Sequence, residues 1–528
     1  MSSSATEFDY VIVGAGSAGC VLANRLSESS AARVLLLEAG GPDRRADIHI
    51  PIAFSKLFKT PLDWDYQTEP QPQLAGRTLY WPRGKVLGGC SSINAMIYMR
   101  GAGRDYDDWQ AAGATGWGYR DVLPYFKRAE NQERGANTWH GTGGPLWVSD
   151  LRHVHPLSRA FVAAGVESGL PANDDFNGAS QPGVGIFQVT QRRGARHSTA
   201  AAYLKPVLKR GNLKVLTHAH ATRVLIEGGR AAGVEFSRGG KLERVRAARE
   251  VLLCGGAINS PQLLLLSGIG PAGHLASLGI PVMVDLPGVG QNLQDHLIVP
   301  VAFECTEPIS LASAETLLNL LKYLLLRRGA FTSNVGEAGG FARTQPELPE
   351  ADLQLHFGPA YYLDHGFVRP AGHGFTIGPT LLRPQSRGSI ALVDNDPLHA
   401  PRIEPNYLAA ADDLQVLVDG VKLARRIAAA RALAPYCGPE FCPGSSAQSD
   451  EEIADHIRQN AQTVYHPVGT CRMGQDETSV VDPQLRVRGV AGLRVIDAAV
   501  MPSIVGGNTN APVIMIAEKA SDMIRNQS

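Results

Sequence analysis

Between Phe8 and Glu38 the sequence leaves little freedom in what it can fold into. Phe8-Asp9-Tyr10-Val11-Ile12-Val13 is a short apolar run of the kind that makes a buried strand. It passes directly into Gly14-Ala15-Gly16-Ser17-Ala18-Gly19, after which Cys20 to Ser27 has helical character. Strand, glycine turn and helix in that order form the dinucleotide fingerprint. The first glycine permits the tight turn, the second lets backbone approach a pyrophosphate, and the third lets helix pack on strand, with the phosphates at the helix N-terminus. A second apolar run, Val34-Leu35-Leu36-Leu37, ends at Glu38. That is roughly 20 residues past the glycines, where a carboxylate accepts hydrogen bonds from adenosine ribose hydroxyls and disfavours a 2′-phosphate. In a chain with 57 glycines a bare G-x-G-x-x-G is only a tight turn. The flanking strand and Glu38 make it a dinucleotide site without separating FAD from NAD.

At 528 residues, 44% hydrophobic and 19% charged, the chain is globular and long enough for two or three domains. Fifty basic and fifty acidic residues cancel, and no basic cluster stands out, so a nucleic-acid partner is not expected. Seven cysteines without a C-x-x-C spacing argue against a disulfide framework and a zinc ribbon. Cys437 and Cys442, the nearest pair, are expected to be reduced. A first strand beginning by Phe8 leaves no room for a leader, which makes cytoplasmic residence the expectation. No apolar run reaches membrane-spanning length. Thr316 to Leu326 is apolar nearly all round and is followed by Arg327 and Arg328. Its length favours a buried or lid helix between domains over peripheral contact with the inner membrane, which stays open.

Farther along, Leu213 to Thr217, Ala232 to Phe236 and Val251 to Cys254 read as strands that extend the nucleotide-binding core. From about Val299 to Asp455 the pattern changes. Leu353 to Phe357, Phe375 to Gly378 and Gly388 to Leu392 alternate like antiparallel strands, and Asp412 to Arg431 is an amphipathic helix. The expected fold is α/β: a discontinuous Rossmann-like nucleotide domain (1–150, 195–298 and 456–528) with an inserted α+β substrate domain on an antiparallel sheet (151–194 and 299–455).

Two glycine-rich blocks need a close neighbour to explain them: Trp81-Pro82-Arg83-Gly84-Lys85-Val86-Leu87-Gly88-Gly89-Cys90-Ser91-Ser92-Ile93-Asn94-Ala95-Met96, and Gly255 to Gly270, where Ser260 and Pro261 look like a helix start. Near the carboxyl end stand Tyr465-His466-Pro467-Val468-Gly469-Thr470, then Leu493-Arg494-Val495-Ile496-Asp497-Ala498, then Gly506-Gly507-Asn508-Thr509-Asn510-Ala511-Pro512. A histidine, a post-strand aspartate and an asparagine-rich turn opening a helix are what proton-coupled hydride transfer at a flavin needs. No nucleophile elbow of a Ser-His-Asp hydrolase and no metal-ligand cluster appear.

These blocks, with His140-Gly141-Thr142-Gly143-Gly144-Pro145-Leu146 and Gly288 to His296, closely resemble the glucose-methanol-choline oxidoreductases over essentially the whole chain. Within that family the chain is most similar to the choline dehydrogenase and bacterial FAD alcohol dehydrogenase branch. The resemblance implies FAD, with Gly14, Gly16, Ser17 and Ala18 at the pyrophosphate, Glu38 at the ribose and Val224 at the adenine. Gly89, Asn94, Ala95, Asp497, Ala498 and Asn508 would line the ribityl chain and flavin, with Ala39, Trp64, Val86, Gly88, Met96, Ile97 and Thr509 as further cofactor contacts. Ile93 stands where some members carry a histidine bonded to the flavin, so FAD is expected to be noncovalent.

The resemblance also places the catalytic base at His466 and a second polar residue at Asn510. Oxidising an alcohol means removing the hydroxyl proton while the α-hydride leaves, and a neutral imidazole with pKa near the operating pH suits that task. Asn510 can orient the hydroxyl and stabilise a developing alkoxide. The helix after Pro512 would aim its N-terminus at the flavin. Asp295 and His296 are read as structural, since adjacent residues rarely face one site. Phe357, Tyr361 and Tyr362 favour an apolar or aromatic alcohol over a sugar. Electrons would pass to a quinone or other acceptor; an oxygen-using oxidase and a hydroxynitrile-type lyase are the alternatives.

Overall fold

In the computed structural model, which describes residues 7–526, the first strand runs Glu7–Val13 and sits inside a seven-stranded sheet. Tyr10 to Val13 pair in parallel with Val34–Leu37 on one side and with the end of the long strand Lys241–Leu253 on the other. Leu213–Leu216 continues the sheet beyond Val34–Leu37, and Leu493–Val495 pairs in parallel with residues 251–253. These strands end at a common edge. Val34–Leu37 is wholly buried, as are the last four residues of Glu7–Val13, the pattern of a parallel sheet covered on both faces. The hairpin His220–Glu227 and Arg230–Arg238 adds antiparallel strands through the outer part of Lys241–Leu253. Helix Ser17–Leu26 packs on this sheet and is clamped to the last helix, Asn510–Arg525, by Arg25, whose Nε and Nη2 donate to the buried Glu518 carboxylate at 2.9 and 2.8 Å.

An eight-stranded sheet forms the second layer system. Cys437–Cys442, Val301–Cys305, Gly374–Leu381, Leu353–Gly358, Ala338–Ala342 and Gly183–Ile186 follow one another in antiparallel order. The helix Ala411–Ala429 buries Leu417, Val418, Val421 and Ala424. It lies so close to the sheet that a Cβ on Gly420 would meet the Pro379 Cβ at 2.6 Å. The fold is therefore α/β, a Rossmann-like sheet joined to an antiparallel α+β part.

Four details differ from the sequence expectation. Leu297–Ile298 and Gln462–Thr463 lie outside the range drawn for the substrate domain, yet they pair with each other, and Ile298 pairs with Thr380 of the antiparallel sheet. Ser389–Ala391 pairs only with Arg402–Glu404. The helix expected to open at Ser260 begins at Gly256 and contains Pro261. Proline cannot donate to the carbonyl four residues back. That carbonyl, of Ala257, instead accepts the Thr470 hydroxyl at 2.7 Å. Finally, helix Leu317–Leu326 is not buried between domains. Only Tyr323 is buried, because the helix rests on the protein through that one side chain while six leucines face outward.

Two glycines of the turn tolerate no side chain. Gly14 has φ +98°, and a Cβ there would lie 2.5 Å from the Cys254 carbonyl oxygen; a Cβ at Gly19 would lie 1.9 Å from the Gly14 oxygen. Gly19→Ala is expected to destabilise the protein by about 1–3 kcal/mol, the usual cost of overpacking. Chemical unfolding monitored by circular dichroism measures this, and an unchanged midpoint would contradict it.

Candidate active site

Between the carboxyl edge of the Rossmann-like sheet and the antiparallel sheet lies a cavity of about 330 Å³. Gly14, Gly16, Ser17, Ala18, Glu38 and Ala39 line its sheet end, at the start of helix Ser17–Leu26. The Glu38 carboxylate accepts from Ala15 N–H through Oε2 and from Gly40 N–H through Oε1, both at 2.8 Å, so it braces the glycine turn. Burial outweighs these bonds and pushes its carboxyl up to about 7. Trp64 lines the wall beside Ala219, His220 and Ala221, with its ring edge-on to His220 at 5.4 Å.

Three expected contacts do not line the cavity. Val224 is buried farther along the same strand as His220, with its N–H donating to Ser267 Oγ at 2.8 Å, so the beginning of that strand faces the cavity instead. Val86 packs in an apolar cluster with Phe54 and Ile93. Gly88, at φ +90°, turns the chain into the block Gly89–Ser92. Gly89 does reach the cavity, and a Cβ on it would come within 2.7 Å of Gly16 Cα. The two glycine blocks touch, which accounts for their small side chains.

Asn94, Ala95, Met96 and Ile97 continue the wall from Gly89. Asn94 Oδ1 accepts from Met96 N–H at 3.0 Å and from Arg196 Nη1 at 2.8 Å. Arg196 is a residue the sequence reading missed, as nothing in its local pattern marks it. It is buried and donates to the Ile48 and Ser91 carbonyls as well as to Asn94, its Nη2 has no hydrogen-bond partner among the described residues, and burial lowers its guanidinium to about 9. Asp497 and Ala498 are also on the wall. The Asp497 carboxylate is fully engaged, accepting from Gly256 N–H (2.8 Å), Ser260 Oγ (2.6 Å) and Ala499 N–H (2.8 Å). It staples the second glycine block to the carboxyl-terminal segment. Asn508, Thr509 and Asn510 complete this side, and the helix begins at Asn510, two residues earlier than expected from Pro512. A glycine cradle at a helix N-terminus, an acid beyond the second strand and a second helix N-terminus joined to the first through Ser17 and Asn510 fit a dinucleotide.

His466 lies on the cavity and its hydrogen bonds fix its tautomer. His296 Nε2 is 3.0 Å from the Leu382 carbonyl, which can only accept, so that nitrogen carries hydrogen. Burial, foremost, lowers His296 to about 3, so the ring is neutral and its Nδ1 is an acceptor. His466 Nδ1, 3.0 Å away, must then donate. The lone pair of His466 is thereby placed on Nε2, 3.2 Å from the Asn508 amide nitrogen. Burial, then His296, His356 and Arg83, hold the His466 imidazole well below its ordinary 6.5, lower than the near-operating value expected from sequence. Asp295 accepts the His466 backbone N–H at 2.7 Å, Thr463 Oγ1 at 2.6 Å and the Tyr407 hydroxyl.

Both members of the Asp295-His296 pair therefore position His466 without lining the cavity, a structural role, although both meet the same residue. The reason is geometric: the His466 segment runs antiparallel beside them, with Leu297 opposite Thr463, so one neighbour meets its backbone and the next its ring. Asn510 takes a different position from the one expected. Its Oδ1 accepts from Ser17 Oγ at 2.7 Å, and the amide that reaches His466 is that of Asn508.

Opposite the glycine turns, the wall is aromatic and apolar. Phe54, Phe58, Ile298, Val335, Phe357, Tyr362 and Tyr465 line it, with buried His356, which burial lowers to about 4. Tyr362 and Tyr465 share a hydrogen bond of 3.0 Å between hydroxyls, and the Phe58 and Tyr465 rings meet edge-on at 5.6 Å. Tyr361, expected here, instead packs on Phe441 at 5.3 Å. Phe54 and Phe58 were not singled out from sequence, because a short 3-10 segment, Pro51–Leu57, gives no clear periodicity.

The chain belongs to the GMC oxidoreductases: the family's amino-terminal part matches residues 8–298 and its carboxyl-terminal part residues 384–517. It is 48% identical to an alcohol dehydrogenase [acceptor] of Pseudomonas putida over 98% of this chain and 95% of that protein. It is 49% identical to human mitochondrial choline dehydrogenase over 100% of this chain and 91% of that protein. The crystal structure of pyridoxine 4-oxidase from Mesorbium loti superposes with a TM-score of 0.91 at 34% identity, covering 98% of this chain and 99% of the other.

His296→Ala removes the acceptor that fixes the His466 tautomer. Alcohol-dependent turnover is expected to fall about 10–100-fold, the range for losing a group that orients a functional histidine, with cofactor retention and thermal midpoint nearly unchanged. Stopped-flow reduction alongside absorbance of the bound cofactor checks this; undiminished turnover would remove His296 from the site.

Proposed function

We propose that the protein oxidises a neutral, apolar or aromatic primary alcohol to the aldehyde using noncovalently bound FAD, and passes the electrons to a quinone or another acceptor. The observation that carries this reading is the unprotonated His466 Nε2, fixed on a cavity whose opposite wall is aromatic. FAD, when bound, takes the α-hydrogen of the alcohol as hydride. His466 Nε2 accepts the hydroxyl proton, and its Nδ1–H stays donated to His296 throughout. Asn508, whose amide nitrogen lies 3.2 Å from His466 Nε2, is the side chain placed to stabilise negative charge on the substrate oxygen, while Asn510 is held by Ser17 beside the glycine turn. The N-terminus of helix Asn510–Arg525 adds a favourable partial positive charge there. At Ile93 the side chain is a hydrocarbon and offers nothing to bond to a flavin.

The charge of the wall bears on the substrate. Among the described residues lining the cavity the carboxylates are Glu38 and Asp497, both occupied by backbone N–H groups, while Arg83 contributes a cation. No acid on the aromatic side is available to pair with a quaternary ammonium and the Arg83 cation would repel one, which favours a neutral alcohol over choline. The name of the Pseudomonas putida relative supports transfer to an acceptor.

His466→Ala is expected to keep FAD and lose alcohol-dependent bleaching of the flavin by at least about 100-fold, the lower bound for a general base; full activity would reject the assignment. Protonation inactivates a base, so a lowered pKa moves the acid limb of kcat/KM below pH 6.5, with a level rate above it. An acid limb above that value would contradict the burial argument. A panel of primary alcohols, polyols and choline, assayed with a dye acceptor, should rank hydrophobic primary alcohols first. A preference for polyols or choline would overturn the substrate class, and peroxide released in air as fast as dye is reduced would replace the acceptor with oxygen.

A further inference from the structure

Helix Leu317–Leu326 presents an apolar face that the rest of the protein leaves uncovered. Leu317, Leu318, Leu321, Leu324 and Leu325 lie on one side at i, i+1, i+4, i+7 and i+8, and Leu318 and Leu325 are 76% and 78% exposed. A contiguous patch of this kind marks a docking surface. The helix is nonetheless firmly placed. Thr316 caps it through Asn319 N–H, the Tyr323 hydroxyl donates to the His49 carbonyl at 3.1 Å, and Lys56 pairs with Glu315 at 2.9 Å. His49 and Lys56 flank Phe54, a residue of the cavity wall, so the helix is tied to the segment that forms the aromatic end of the cavity.

We propose that this face inserts into the interfacial layer of a membrane rich in anionic lipid. Three observations select that occupant. Residues 317–328 contain Lys322, Arg327 and Arg328, all exposed, and no acid. Leucines flanked by basic groups match acyl chains below anionic headgroups. A second copy docking through the same face would bring these cations together without a carboxylate on the helix to pair them. Among the described residues no helix is long and apolar enough to cross a bilayer, so the attachment is peripheral. Docking by this helix sets the aromatic end of the cavity toward the bilayer. On the proposed function, which this consequence rests on, a hydrophobic alcohol and a lipid-soluble acceptor would then arrive from the lipid phase.

The test is sedimentation of the FAD-loaded protein with vesicles of phosphatidylglycerol mixed into phosphatidylcholine, and with phosphatidylcholine alone. The wild type should partition to the anionic vesicles and be released by salt. Leu318→Glu with Leu325→Glu should weaken binding roughly tenfold or more, and Arg327→Glu with Arg328→Glu should abolish the preference for anionic lipid. Leu242→Glu, at an equally outward leucine in the hairpin of the Rossmann-like sheet, should change nothing. Flavin absorbance and turnover of a water-soluble alcohol with a dye report that each variant is folded. Equal binding by the wild type and the double leucine variant overturns the proposal. So does a wild-type dimer that this variant converts to monomer without vesicle binding, which would make a second copy the occupant. Vesicle partition requires no turnover, so its failure is distinct from failure of the proposed chemistry.

Discussion

The arrangement depends on one buried carboxylate. Asp295 receives the backbone N–H of His466 and the hydroxyl of Thr463 from one stretch of chain and the hydroxyl of Tyr407 from another. Isolating a carboxylate from water is unfavourable unless hydrogen bonds replace the lost solvent, and burial leads the causes that push Asp295 up to about 6. The three donors compensate, and in doing so they hold the His466 backbone beside the cavity. Tyr465, just before it, is in the left-handed region at φ +70°, a conformation a tyrosine keeps only when its surroundings over-determine it. Its N–H bond to Thr463 Oγ1 at 2.7 Å draws on the same cluster. The ring is thus oriented by His296 and the backbone by Asp295, two consecutive residues acting on different parts of one histidine.

The cavity is electrostatically divided. At the sheet end, polar backbone, Glu38 and two helix N-termini meet an anionic or hydroxylated ligand. At the other end, histidines kept neutral by burial and aromatic rings meet an uncharged one. His466 sits at the boundary. Its neutral state follows from the surroundings it shares with His296 and His356, and its acid form is favoured only when negative charge appears next to it. That is the condition a proton acceptor for an alcohol requires.

Much of this was legible in the sequence where chemistry and local geometry coincide. Glycines at 14, 16 and 19, followed by Glu38, specify a turn, a helix and a second strand within one short segment, and the structure places them so. The segment around His466 was legible as a unit because its residue types only make sense together. What escaped was long-range. Val224 was given a place that Ala219 to Ala221 hold, since sequence does not reveal which end of a strand faces a cavity. Asn508 and Asn510 are two residues apart, and only the fold reveals that the first meets His466 and the second Ser17. Helix Leu317–Leu326 read as buried because apolar composition reports what a helix can cover, not whether the protein supplies a surface to cover it. The boundaries at 298 and 456 missed two short strands whose pairing lies across the sheet rather than along the chain.

The contact between Gly16 and Gly89 has a consequence for how this scaffold can change. Gly89 meets a residue more than seventy positions away along a seam that leaves no room for a methyl group on it, and Gly14 and Gly19 are equally closed, so the floor on which the dinucleotide rests accepts almost no substitution at these three positions. The opposite wall has no such seam; Phe54, Phe58 and Tyr362 come from loops and a short 3-10 segment. Variation is therefore channelled to the roof. A lineage built on this frame, or a laboratory redesigning it, can trade one substrate for another by reshaping rings while the redox machinery beneath stays fixed.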